Sequence, residues 1–91
     1  MLIGNYPNPF NPSTRIKFRL PAGQAGIPSS EFVSLKVFDV LGREVTTLVS
    51  EELTVGAYQT TFDASHLNSG VYFYQLRAGQ VIETGRMVLT K

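Results

Sequence analysis

The six residues Arg15-Ile16-Lys17-Phe18-Arg19-Leu20 decide the fold: Ile16, Phe18 and Leu20 take every second position, and three basic residues fill the gaps. Successive side chains of a strand point to opposite faces, so this run is a half-buried strand with one apolar and one charged face. The same period of two recurs downstream. Val33, Leu35 and Val37 alternate with Ser34, Lys36 and Phe38 in a strand predicted from Phe32 to Asp39, and Tyr58, Thr60 and Phe62 share one face from Ala57 to Asp63. Further strands are predicted at Glu44 to Val49, at Val71 to Arg77 (the most apolar run of the chain) and at Val81 to Thr90. Residues of high strand preference fill the alternating positions, and helical periodicity is nearly absent.

The connections carry turn chemistry. Pro21 closes the first strand, and residues 22–30 (AGQAGIPSS) read as a loop. Gly42 in "DVLGREV" can take a positive φ, so Asp39 to Arg43 reads as a short hairpin connection. Glu51 to Gly56 reads as another connection with Gly56 its hinge, "ASHLNSG" at 64–70 as a polar bridge, and Ala78-Gly79-Gln80 as a tight hairpin turn. A short strand near Asn5 to Phe10 completes the set. The fold class expected is all-β, an immunoglobulin-like antiparallel β-sandwich of about seven strands. Connections this short leave no room for helical crossovers, which argues against a parallel α/β sheet.

Ninety-one residues suit one domain, 1–91, divided into a proline-rich lead-in at 1–14 and the sandwich at 15–91. The lead-in, "GNYPNPFNPST" from residue 4, disfavours helix at each X-Pro pair, while Tyr6 and Phe10 offer apolar anchors. Eight Lys and Arg against seven Asp and Glu give a net charge of +1, and the scattered basic residues leave no footprint for nucleic acid. No apolar stretch approaches the roughly 20 residues of a helical membrane span. Met1-Leu2-Ile3-Gly4 running straight into the prolines reads as the start of an excised module, a C-terminal piece of a longer protein.

Residues for catalysis are scarce. The single histidine, His66, lies in the polar bridge near Ser65 and Asp63, and it reads as a surface-loop residue rather than the base of a nucleophilic pair. One histidine and no cysteine leave no transition-metal set, so oxygen ligands for calcium could come only from loops bearing Asp39, Asp63 or the opening asparagines. No enzyme activity, cofactor or metal is expected. Val71-Tyr72-Phe73-Tyr74 puts two tyrosines on one face and a phenylalanine on the other, which suits a central strand with both faces partly covered. Phe38, on the polar face of its strand, is expected to be partly exposed.

Three segments together resemble the C-terminal sorting domains of type IX secretion cargo, the type A signals. "NYPNPFNPST" at 5–14 is similar to the opening motif, "LNSGVYFYQL" at 67–76 to the central glycine-x-tyrosine strand, and "RMVLTK" at 86–91 to the basic, aliphatic, lysine-ended terminus. The turn "VFDVLGREV" at 37–45 adds to the match, and the resemblance runs from Asn5 to Lys91. It implies an address label: a cargo joined on the N-terminal side crosses the periplasm and reaches the cell surface or the medium. Its partners would be the outer-membrane translocon and a sortase that cuts upstream of the opening motif. The label is then a substrate and not a catalyst. Residue by residue, the resemblance points to Asn5, Tyr6, Pro7, Asn8 and Pro9 in the lead-in, Gly70 and Tyr72 in the central strand, and Met87, Val88, Leu89 and Lys91 near the terminus. Two departures are a longer loop at 22–32 and Gly85-Arg86 where two polar or basic residues are common. The competing readings are a structural immunoglobulin-like module similar to that of flagellar hook-capping proteins, and a carbohydrate-binding module with an open aromatic face.

Overall fold

The computed structural model describes residues 1–21 and 30–91, in which seven strands form two antiparallel sheets. The loop predicted at 22–30 and its added length fall, apart from Ser30, outside the described residues. The strands are β1 (Leu2–Tyr6), β2 (Ser13–Leu20), β3 (Ser30–Phe38), β4 (Glu44–Thr54), β5 (Gly56–Asp63), β6 (Gly70–Ala78) and β7 (Val81–Leu89). One sheet has the order β1-β2-β5 and the other β4-β3-β6-β7, so the chain changes sheet between β2 and β3, between β4 and β5, and between β5 and β6. This is the Greek-key wiring of an immunoglobulin-like sandwich.

Alternation sets which faces meet. Ile16, Phe18 and Leu20 of β2 pack against Val33, Leu35 and Val37 of β3, and each of the six is at most 1% exposed. Tyr72, Tyr74, Leu76 and Ala78 enter the same core from β6, and Met87 and Leu89 from β7. The tyrosines share one face of a central strand, as the alternation predicted, and the structure shows that face to be the inner one, while Phe73 and Phe38 are half-buried on the opposite face. A strand flanked on both sides by neighbours has no free edge, and its outer face is partly covered by their side chains.

Two predictions of local structure need correction. Glu51 to Thr54 belong to β4 and do not form a connection: they pair with Val33 to Ser30, and Val55 alone links β4 to β5. That end of β4 offers no apolar alternation to read, because on this edge strand Glu51, Glu52 and Thr54 are exposed and only Leu53 is partly buried; the two bulges of β4 lie nearer its start. Leu48 and Val45 are skipped in the register against Leu35–Lys36 and Val37–Phe38, and each extra residue reverses the alternation. The short strand expected near Asn5 to Phe10 lies instead at Leu2–Tyr6, paired with β2.

The hairpin at Asp39 to Arg43 forms as predicted. Gly42 sits at φ +82°, a conformation that costs other residues a steric penalty. Asp39 organises the turn: its Oδ1 accepts from the N–H groups of Leu41 (2.9 Å) and Arg43 (3.0 Å), and its Oδ2 meets Arg43 Nε at 2.9 Å. The Arg43 N–H bond, with the other donors behind it, holds the Asp39 carboxyl below its usual range. A group depressed in this way stabilises the fold above its unfolded pKa near 3.8, and the contribution disappears as pH falls through the lower folded value. Asp39→Asn should therefore lower the melting temperature relative to the parent at pH 7, with the gap narrowing below pH ~3. Melts followed by circular dichroism at both pH values check this; a gap independent of pH would show that the carboxylate's charge does not stabilise the turn.

Candidate functional site

The lead-in is stitched to the last strand. Phe10 N–H donates to the Val88 carbonyl and Thr90 N–H to the Phe10 carbonyl, both at 2.9 Å, which makes a parallel bridge between Phe10 and Leu89. Two residues earlier a side chain does the same work. Asn8 Nδ2 donates to the Arg86 carbonyl (3.2 Å) while Asn8 Oδ1 accepts from Val88 N–H (3.1 Å). A carboxamide has the donor and acceptor of a peptide group, so Asn8 substitutes for one strand residue.

Behind this seam lies a polar cluster. Asn5 Nδ2 donates to Thr14 Oγ1 (3.2 Å), Thr14 Oγ1 donates to the Pro7 carbonyl (2.8 Å), and Asn8 Nδ2 also reaches Asn5 Oδ1 (3.3 Å). Thr14 is buried, so these bonds meet the requirement that an interior hydroxyl be paired. Tyr74 closes the cluster from the opposite sheet, its hydroxyl donating to Asn5 Oδ1 at 3.2 Å. Burial pushes its phenol above the ordinary range, which keeps it a donor at any physiological pH.

The Tyr74 ring lies over Gly85, its direct cross-strand partner, and a Cβ at Gly85 would overlap the hydroxyl end of the phenol ring. Gly85 is thus the partner that lets Tyr74 reach Asn5.

The other expected residues gather at the same end of the sandwich. Gly70 opens β6 at φ +153° opposite Leu89, a backbone geometry that favours glycine. Tyr72 faces the core, and its hydroxyl donates to the Asn68 carbonyl four residues upstream (2.8 Å), the arrangement of a tyrosine corner. Met87 and Leu89 point into the core and Val88 outward. Lys91 folds back on the 64–69 loop: its N–H donates to Ser69 Oγ (3.0 Å) and its ammonium to the Ser65 carbonyl (2.7 Å). Ala64 N–H donates to the Pro12 carbonyl (2.8 Å), tying that loop to the lead-in. A groove between the 39–43 turn and the start of β6 is lined by Val40, Leu41, Gly70 and Val71, with the first two well exposed.

Of the two anchors expected in the lead-in, the structure supports one. Phe10 is 1% exposed and packs on Phe62 with ring centroids 6.1 Å apart, whereas Tyr6 is 73% exposed. Tyr6 ends β1 on the face turned from the core. Pro7 and Pro9 are exposed, and the bonds before Pro7, Pro9 and Pro12 are cis. His66 is exposed, and the Asp63 carboxylate caps its own loop by accepting from Ser65 N–H (2.9 Å). That bond, first among its causes, depresses the Asp63 pKa. Residues missed by sequence reasoning are Thr14, Asn68 and Ser69. Each makes its contact through a polar side chain or a carbonyl, for which no hydrophobic period gives a signal.

The family described as "Secretion system C-terminal sorting domain" matches residues 5–90, nearly the whole chain. No curated protein and no solved structure matches it.

Proposed function

We infer the role of this domain from one premise: the chain belongs to the family of secretion system C-terminal sorting domains. Such a domain is the C-terminal sorting signal of type IX secretion, and it directs a cargo on its N-terminal side through the outer membrane to the cell surface or the medium. The family is not a catalytic one, and we read this member too as a passenger of the machinery and not an enzyme. Its cargo passes through the periplasm, the outer-membrane translocon recognises the folded sandwich, and a surface sortase cuts upstream of Asn5.

One observation carries the reading beyond the family assignment. The opening motif, the 37–45 turn, the glycine-x-tyrosine strand and the terminal strand converge on one end of the sandwich, through the Phe10–Leu89 bridge, the Gly70–Leu89 register and the Lys91–Ser65 bond. Segments far apart in sequence thus present a single surface. On it we place Asn5, Tyr6, Pro7, Asn8, Pro9, Gly70, Val88 and Lys91 as groups a partner can touch, with Tyr72, Met87 and Leu89 supporting them from the core. The alternatives are not favoured: a sugar platform needs an open row of rings, whereas Tyr72 and Tyr74 are buried.

The test is a fusion of the domain to a secreted reporter in hosts with and without the translocon. Surface display is expected only where the translocon is present, and Lys91→Glu should reduce it while lowering the melting temperature only slightly, since the bond lost to Ser65 is an exposed one. Deletion of Val88 to Lys91 should abolish display, but it also removes Leu89 from the core, so the point variant is the cleaner probe. Equal display with and without the translocon would falsify the sorting role.

A further inference from the structure

We propose that the outer edge of β7 from Ile82 to Val88 is an interaction surface for an extended strand of a secretion-system protein, and that Asn8 is the removable plug covering part of it. The proposal rests on the sorting role and adds the mode of contact. In the β6–β7 pairing Val88, Arg86, Thr84 and Ile82 lie opposite Val71, Phe73, Gln75 and Arg77. Arg86 and Val88 turn main-chain groups away from β6, as their bonds to Asn8 and Phe10 show. The period of two then gives Thr84 and Ile82 the same outward orientation.

Those outward groups fall into three parts. At the far end Phe10 bonds Val88 and Thr90 through its backbone and is fixed by its buried ring. In the middle the exposed Asn8 side chain bonds Arg86 and Val88. Among the described residues, no hydrogen bond from the lead-in reaches Thr84 or Ile82. A strand laid along this edge can replace both Asn8 bonds and gain those at Thr84 and Ile82, while Phe10 stays seated. The exchange gives up only the exposed 3.3 Å bond from Asn8 to Asn5 and adds main-chain pairs, which is the energetic basis of strand addition.

The opposite edge of that sheet is defended differently. β4 carries two bulges and the carboxylates of Glu44, Glu51 and Glu52, devices that discourage edge pairing. β7 runs in unbroken register from Val81 to Leu89. Side chains on its outer face indicate the partner. Arg86 is exposed and in no ion pair among the described residues, and Ile82 is 51% exposed. The fitting strand places a carboxylate beside Arg86 and an apolar side chain beside Ile82.

The probe is a synthetic hexapeptide of alternating valine and threonine with one aspartate, alongside a copy whose backbone amide nitrogens are all methylated, so that neither of its edges can donate. Both are titrated into the full chain and into Asn8→Ala. In the free parent, amide exchange should be slow at Val88 and fast at Thr84, and in the variant fast at both, with Tyr74 and Leu76 amides still protected to show that the fold persists. Peptide should slow Thr84 exchange in both proteins. If the plug is seated more than nine-tenths of the time, removing it should tighten peptide binding about tenfold or more. The methylated copy should bind neither protein. Thr84 exchange unaffected by the peptide, equal binding of the methylated copy, or equal affinity in parent and variant would each overturn the proposal. The sorting role stands or falls separately on translocon-dependent display of the reporter.

Discussion

Replacing Gly85 with alanine should lower the stability of this domain by about 2–3 kcal/mol, the cost of forcing extra volume into a packed site. The sign runs against the usual rule. A glycine in a strand interior costs about 0.5–1 kcal/mol relative to alanine through backbone entropy, so Gly→Ala in an ordinary strand is a gain. At Gly85 the new methyl would overlap the hydroxyl end of the Tyr74 ring. That ring cannot move aside cheaply, because it is 3% exposed and its hydroxyl is bonded to Asn5 Oδ1. Steric cost therefore exceeds the entropic gain. Denaturant unfolding of Gly85→Ala, Tyr74→Ala and the double variant separates the two terms. Tyr74→Ala alone should cost about 3–5 kcal/mol. In its background Gly85→Ala should be neutral or stabilising, which gives a coupling energy of 2 kcal/mol or more between the sites. Simple additivity of the two changes would show that the ring does not impose glycine at 85.

The same pair marks the boundary of what the sequence made legible. Strands β2, β3 and β6 were readable because each keeps a strict period of two against one core, and Ile16, Val33 and Tyr72 are buried as that period requires. β4 was read short because its second half, Ser50 to Thr54, is an exposed edge in which only Leu53 is partly buried, so no apolar period marks it as strand. The site was legible as a set of segments and not as a geometry. Nothing local to Asn8 announces that its carboxamide bonds a strand 78 residues away, nor does Gly85 announce the ring above it. Such contacts depend on which residues the register places side by side, and register is a tertiary property. Tyr6 and Phe10 illustrate this well: two aromatic residues four apart in a proline-rich run look equivalent until the pairing of β1 turns one outward and the bridge to Leu89 draws the other in.

That contrast yields the second large effect. Phe10→Ala should destabilise the domain by about 3–5 kcal/mol, as expected for an aromatic side chain removed from a full core, whereas Tyr6→Ala should stay within about 0.5 kcal/mol of the parent. Phe10 is 1% exposed, and its ring packs on Phe62. Its backbone supplies both hydrogen bonds to the end of β7. Truncation leaves a cavity between the sheets and loosens the seam that keeps Leu89 in place. Domains have total stabilities of only about 5–15 kcal/mol, so a loss of this size takes a large share of it. For a chain of this length the melting temperature should fall by on the order of 20 °C. Thermal melts of the two variants decide the matter: a small and equal loss at both positions would mean that the lead-in merely rests on the sandwich. A large loss at Phe10 alone would mean that the opening motif belongs to the fold, and that only its exposed part, centred on Asn8, is available for exchange with a partner.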